Sequence, residues 1–297
     1  AARFDSAGMV VFRRFVRLVV PYAVALLLAV LVAALVRPFT DHDSVPEAPT
    51  FAQLLAHALL LQDIVDEEAL SAGVWYVAID FQLFACSVLL LSGVRALPGA
   101  WARRNGARLV QACVVAGVAA SLWVFNRMTE LDMWALYFLG AYGLGMLAYW
   151  AVQSPRPFAW AGVMLALGGI ALVLDFRGRI VVALATALCL VAAMRAAPLR
   201  AWGGVVPLVR LGQMSYSIFL VHFAVCLVVN AVVSGLWPAS PVVNAQGMVL
   251  AFALSLAAGR QLYLRVERHV PSWTTAVRWQ VGLVGAGMLV ALSNNWA

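Results

Sequence analysis

Two ionisable residues interrupt long apolar runs in this chain. His222 lies in Ser215-Tyr216-Ser217-Ile218-Phe219-Leu220-Val221-His222-Phe223, and Asp80 lies in Trp75-Tyr76-Val77-Ala78-Ile79-Asp80-Phe81-Gln82-Leu83-Phe84. Ionisable groups inside such runs are unfavourable away from water, so their presence points to function. A buried imidazole tends towards its neutral form, whereas a carboxylate beside it orients the ring and stabilises the protonated form. Those are the requirements of a general base that takes a proton from a hydroxyl. The competing reading is that each residue makes a hydrogen bond between helices. Ser215 is seven residues before His222 and so near the same helix face, while Tyr76 and Phe84 flank Asp80 one turn away on either side. Sequence spacing does not bring His222 and Asp80 together.

A third feature is basic. In Phe12-Arg13-Arg14-Phe15-Val16-Arg17, Arg14 and Arg17 are at i, i+3 and Arg13 and Arg17 at i, i+4, which makes one arginine face on a helix. The guanidinium is a planar, permanently charged fork suited to phosphate, so this face could hold a nucleotide-type anion such as coenzyme A. Anchoring at the cytoplasmic membrane surface, or contact with anionic lipid, explains the same arginines.

Other chemistries lack their residues. Cys86, Cys113, Cys189 and Cys226 each sit in an apolar run without CxxC spacing or a nearby histidine, which indicates neither a disulfide framework nor a metal site and predicts small buried side chains. There is no GxSxG, HExxH, GxxxxGK[ST] or strand-preceded GxGxxG. Gly140, Gly143 and Gly145 read as close helix packing.

The elements that must position these residues are membrane helices. Of 297 residues, 64% are hydrophobic and only 11% charged, against about 25% charged in soluble domains. Apolar runs long enough, or nearly so, to cross a bilayer fall at 19–36, 74–94, 108–125, 133–152, 158–174, 180–194, 213–236, 245–264 and 276–293. The fold class is therefore all-α, a polytopic transmembrane helix bundle of about nine spans in one domain over 1–297. The net charge of +7 comes with arginine as the sole Lys/Arg type, placed at the ends of apolar runs, which favours membrane topology over nucleic acid. With the Arg13–Arg17 face cytoplasmic, most arginines fall inside and most acids outside, leaving Arg37, Arg127, Arg177 and Arg179 on the outer side. The longest loop, 38–73, is then outer, and its core Phe51–Gln62 is predicted to lie as a surface helix over the bundle, with His57 as a packed or interfacial residue. Asp80 is expected about 9 Å inward from the outer end of its span, and His222 near the midplane, about 15 Å from the cytoplasmic end of its own.

Three segments together resemble the acyltransferase type 3 family of polytopic membrane acyltransferases. Phe12–Tyr22 resembles the family's arginine-rich third-helix opening, with its Arg-x-x-Arg on Arg14 and Arg17. Val74–Phe84 is similar to its Trp-Ser-Leu-x-Val-Glu-x-Gln-Phe-Tyr pattern, with Trp75, Asp80 and Gln82 matching and Asp80 in place of the glutamate. Leu211–Phe223 resembles Gly-x-x-Ser-Tyr-x-Ile-Tyr-Leu-x-His through Gly212, Ser215, Tyr216, Ile218, Leu220 and His222. Leu262–Pro271 fits the terminal Tyr-x-x-x-Glu-x-Pro more weakly, with Glu267 aligned.

The resemblance implies an O-acyltransferase, most commonly an O-acetyltransferase, of the bacterial inner membrane. It would move an acyl group from cytosolic acyl-CoA to a hydroxyl of a cell-envelope glycan or glycolipid. Acetyl-CoA would be a co-substrate and no cofactor would be permanently bound. It implies catalytic roles for His222 and Asp80, acyl-CoA binding at Arg14, Arg17 and Arg13, and positioning by Tyr216, Ser215, Trp75 and Gln82. In the family two further helices, the first bearing an arginine and a catalytic histidine, precede the segment that opens here, so the expectation is either a fragment lacking those helices or a natural variant without them that is inactive alone. A transporter or flippase, or a non-catalytic membrane subunit, are the alternative classes.

Overall fold

The computed structural model describes residues 6–40, 44–196, 206–237 and 240–294. Eleven α-helices run through them: α1 Ala7–Val36, α2 Phe51–Ala58, α3 Val74–Ala96, α4 Ala100–Trp123, α5 Ala135–Gln153, α6 Pro157–Leu174, α7 Gly178–Arg195, α8 Val206–Gln213, α9 Ser215–Leu236, α10 Pro241–Leu262 and α11 Trp273–Asn294. No strand occurs among the described residues. Nine of the helical segments are long and apolar enough to cross a membrane, in register with the nine apolar runs. The ends differ where a helix outlasts its apolar run. α1 begins at Ala7, where the Ser6 side chain caps Met9 N–H, so Arg13, Arg14 and Arg17 are helical residues of the first span.

The chain divides into two compact units, Ala1–Phe81 with Val205–Ala297, and Gln82–Gly204. In the second unit α4, α5, α6 and α7 pack around Val118, Leu122, Leu144, Leu147 and Met164. Gly140 and Gly143 are where α5 meets α4: a Cβ at Gly140 would come within 2.6 Å of Leu122 Cδ2, and one at Gly143 would strike Val118. Ser121 Oγ donates to Leu136 O at 2.7 Å and accepts from Gly140 N–H at 2.8 Å, so a polar side chain inside this bundle is fully used.

The first unit holds the residues singled out above. α1 packs on α9 and α11, and α9 packs on α10. The α9–α10 contact is close because Gly259 sits on Ile218 and Gly247 on Val233, and these two glycines share one α10 face with Ala251 and Ser255. α1 contains Pro21, which cannot supply the N–H that its preceding turn needs. In that turn the Leu18 carbonyl accepts a hydrogen bond from Tyr216 Oη of α9 at 3.1 Å.

Three expectations give way here. The helix in the long loop, α2, does not lie over the bundle but enters it. Leu54 sits against Gly287 of α11, and Ala58 O accepts from Gln280 Nε2, one further reach down that helix. Gln280 is 14 residues before Asn294, so α2 ends about 20 Å below the end of α11. The apolar face Leu54, Ala56, His57 and Ala58 is buried, and so is Leu60, which follows in the left-handed conformation that glycine usually takes at such an end. The loop returns at the same depth through Gly73, whose positive φ and 2.9 Å Cβ-to-Phe219 approach admit no side chain. α3 therefore starts deep, and Asp80 lies level with Arg14 near the arginine-bearing end of α1 instead of near the outer end of a span. The cysteines are all free, but Cys86, Cys189 and Cys226 are exposed, since the outer face of a membrane bundle is as apolar as its core.

Candidate functional site

The site is assembled from α1, the first turns of α3, the start of α9 and the chain following α10. Arg14 Nη2 donates to Asp80 Oδ2 at 2.7 Å, so the arginine face and the intramembrane acid meet. Both side chains are only partly buried. Arg13 and Arg17, on the same helix, are exposed. Phe15 stacks on Phe81 at 5.5 Å, which fixes the α1–α3 register that brings Arg14 to Asp80.

Tyr216 is the centre of the polar cluster. Its hydroxyl is held by Leu18 O, and its electrostatic neighbours are Glu267, Arg14 and Asp80. Beside it, Ser217 Oγ donates to Glu267 Oε2 at 2.5 Å, and Ser217 is fully buried. Glu267 arrives there because the chain after α10 continues as one π-helical turn, Tyr263–Glu267, which rotates the following side chains relative to an α-helix. Single π turns are frequent at functional sites. Only the weak fit of Leu262–Pro271 pointed to Glu267, and Ser217 carried no signal beyond its place next to Tyr216.

His222 stands apart from this cluster. Its Nδ1 donates to Phe219 O at 2.6 Å with the ring half-buried, and Nε2 takes no part in that hydrogen bond. It is one turn above Ile218 on the α9 side that packs on α10. Among the described residues no hydrogen bond or ion pair joins His222 to Asp80. A row of aromatic rings runs alongside instead: His222 is 5.8 Å from Phe219, and Phe219 is 5.6 Å from Tyr76, one turn before Asp80. Trp75 packs edge-on against Tyr76, Ser215 Oγ donates to Gly212 O at 2.9 Å, and Gln82 carries a buried Nε2 without a hydrogen-bond partner.

Above the cluster the polar groups continue. Tyr22 is fully buried with no partner for its hydroxyl, and its electrostatic neighbours are Tyr216 and Asp63. His57 donates from Nδ1 to Gln53 O at 2.7 Å and accepts Leu70 N–H at Nε2 at 3.2 Å, so both ring nitrogens are committed to holding the re-entrant loop. Burial lowers its pKa from 6.5 to about 4 and raises that of Asp63 from 3.8 to about 6. His57 is thus a neutral structural residue.

Among the described residues no cluster of His, Cys, Asp and Glu is arranged to hold a metal ion. A family model described as an acyltransferase domain matches residues 2–260. No curated protein and no solved structure matches the chain.

Proposed function

The chain belongs to the acyltransferase type 3 family, and on that premise we propose that it transfers an acyl group from cytosolic acyl-CoA to a hydroxyl of a cell-envelope glycan or glycolipid. The observation that carries this reading is the cluster of Arg14, Asp80, Tyr216, Ser217 and Glu267, set in an apolar bundle directly beside the exposed Arg13 and Arg17. Acetyl-CoA is the donor of choice, and the bacterial inner membrane the setting, with the arginine face cytoplasmic.

Arg13 and Arg17 would take the phosphates of the donor, while Arg14, tied to Asp80, would set the mouth through which the pantetheine arm passes. The acceptor oxygen would attack the thioester carbonyl carbon as its proton passes to a histidine Nε2. The tetrahedral intermediate would then collapse, breaking the carbon–sulfur bond, and the same proton would return to the leaving thiolate. In this chain His222 is the histidine that would take that part, its ring anchored at Nδ1 by Phe219 O. The Arg14 guanidinium at the mouth would help to stabilise the oxyanion, in surroundings where such donors act strongly.

The test is direct. The full-length protein in proteoliposomes is given radiolabelled acetyl-CoA and an envelope glycan fraction. The expected result is label in the glycan matched by free coenzyme A thiol, with both reduced at least tenfold by Arg17→Gln. Acceptor that crosses the bilayer with no thiol released would show a transporter and remove the proposal.

A further inference from the structure

The first unit contains a cavity of about 890 Å³ at the opposite end of α1 from the arginine face. Its lining includes Arg37, which opens the short 3₁₀ turn after α1, with Thr40, Glu47, Glu68, Ala72 and Phe223. This is room for a sugar unit or two, within the roughly 300–1,000 Å³ range of small-molecule sites. Phe223 follows His222 on α9, and Ala72 precedes the glycine packed on Phe219, so the cavity reaches the level of the aromatic row.

Arg37 is the unusual member. Its Nη2 donates to Pro46 O at 2.7 Å, which fixes the side chain against the loop. Its Nε and Nη1 are buried and have no hydrogen-bond partner. Among the described residues it forms no ion pair. A guanidinium cannot shed its proton to escape such a position, so a half-buried cation with donors on two unmet nitrogens calls for an acceptor from outside. An anion meets that need better than water, because charge-assisted hydrogen bonds are about twice as strong as neutral ones. Glu47 and Glu68 do not contradict this, since both are exposed and solvated. Their carboxylates are acceptors suited to sugar hydroxyls.

We propose that this cavity seats the acyl acceptor, and that the acceptor carries an anionic group, a carboxylate or a phosphate, held by Arg37. The seat as acceptor site rests on the acyltransferase reading; the anion selectivity rests on Arg37 alone. A carboxylate would come from an acidic sugar within a glycan, a phosphate from a sugar phosphate or lipid-linked sugar.

Binding decides it without catalysis. The full-length protein in detergent is titrated calorimetrically with methyl glucuronide, glucose 1-phosphate and methyl glucoside. At least one charged probe should bind ten times more tightly than the neutral glucoside, and whichever does names the source of the charge. Arg37→Gln should bring charged and neutral probes within about twofold, and Arg37→Lys should keep an intermediate preference. Equal binding of all three probes by the unaltered protein, no measurable binding of either charged probe, or a preference that survives Arg37→Gln would each overturn the proposal. Acyl transfer to acceptors irrespective of charge would leave the enzyme reading standing and sink this one. Charge-selective binding with no acyl transfer would keep the anion selectivity at Arg37 and remove both the enzyme reading and the cavity's role as acceptor seat.

Discussion

Arg14 and Asp80 are 66 positions apart in the chain and 2.7 Å apart in space, joined nitrogen to oxygen across α1 and α3. The pair unites two residues that the sequence assigned to different tasks, one to donor phosphates and one to an intramembrane carboxylate. An ion pair this exposed contributes about 1 kcal/mol at most to stability, so its larger effect is on where the two groups stand. Arg14→Gln and Asp80→Asn are each expected to lower acyl transfer about tenfold, with the double variant no worse than either single. A double-mutant cycle on transfer rates checks this; additive losses would mean that the two act separately. Asp80→Glu, with one methylene more, should keep the pair and most of the activity.

Much of this was legible from the chain alone, and the reason lies in the bilayer. A helix in hydrocarbon must satisfy its own backbone, so apolar runs map onto helices with little ambiguity. Asp80 and His222 stood out by the same logic, as exceptions to an apolar background. The depth of Asp80 was not legible, because counting from the edge of a span assumes that the span starts at the membrane surface. α3 starts below the end of α11 because α2 and the chain after it descend first, and Phe51–Gln62 gives no local sign of descending. Its amphipathic pattern fits a surface helix equally well; Gly287 makes room for it and Gln280, 222 positions beyond Ala58, binds its end. Glu267 was hidden for a similar reason, since a π turn has no pattern that a 3.6-residue period reveals.

The re-entrant loop carries two opposed proton switches. The unfolded chain holds more protons than the folded one at His57 between pH 6.5 and about 4, so this residue's stabilisation is full above 6.5 and is lost as the pH falls through that window. Asp63 has the opposite sign. The folded chain holds more protons there between pH about 6 and 3.8, so stability is gained as the pH falls. The two act in opposite directions over overlapping pH ranges. Asp63→Asn should therefore make the melting temperature fall more steeply on acidification between pH 6.5 and 4 than it does in the native protein. His57→Gln, although less stable at neutral pH, should melt higher as the pH is lowered. Parallel pH profiles for all three proteins would contradict the assignment.

Helix contact in the first unit depends on a single missing methyl. A Cβ at Gly259 would lie 2.7 Å from Ile218 Cα and 2.9 Å from Ile218 N. Those are backbone atoms, so no rotamer change relieves the clash and α9 and α10 must separate. Gly259→Ala is expected to destabilise by about 1–3 kcal/mol and to lower activity with it, because α9 carries Tyr216, Ser217 and His222. Gly282 on α11 has nothing within 4 Å of the same added carbon. Gly282→Ala should be neutral or stabilise by up to about 1 kcal/mol. Thermal unfolding in one detergent, with size-exclusion recovery as a second readout, separates the two variants.

Ser217 and Glu267 allow charge and hydrogen bonding to be told apart at the heart of the cluster. Ser217→Ala removes the donor that Glu267 accepts at 2.5 Å and leaves the acid beside Tyr216 less well satisfied. The expected cost is about 1.5–3 kcal/mol, the range for a hydrogen bond to a charged group. Glu267→Gln keeps an acceptor for the Ser217 hydroxyl but removes the charge next to Tyr216. If the carboxylate sets the electrostatics of the site, Glu267→Gln should melt within a few degrees of the native protein yet transfer acyl groups at least tenfold more slowly. Ser217→Ala should show the reverse balance, with melting lowered more than the rate at a temperature where it stays folded. Full transfer by Glu267→Gln would reduce Glu267 to a helix-packing partner and leave Arg14–Asp80 as the sole charged element of the cluster that matters to catalysis.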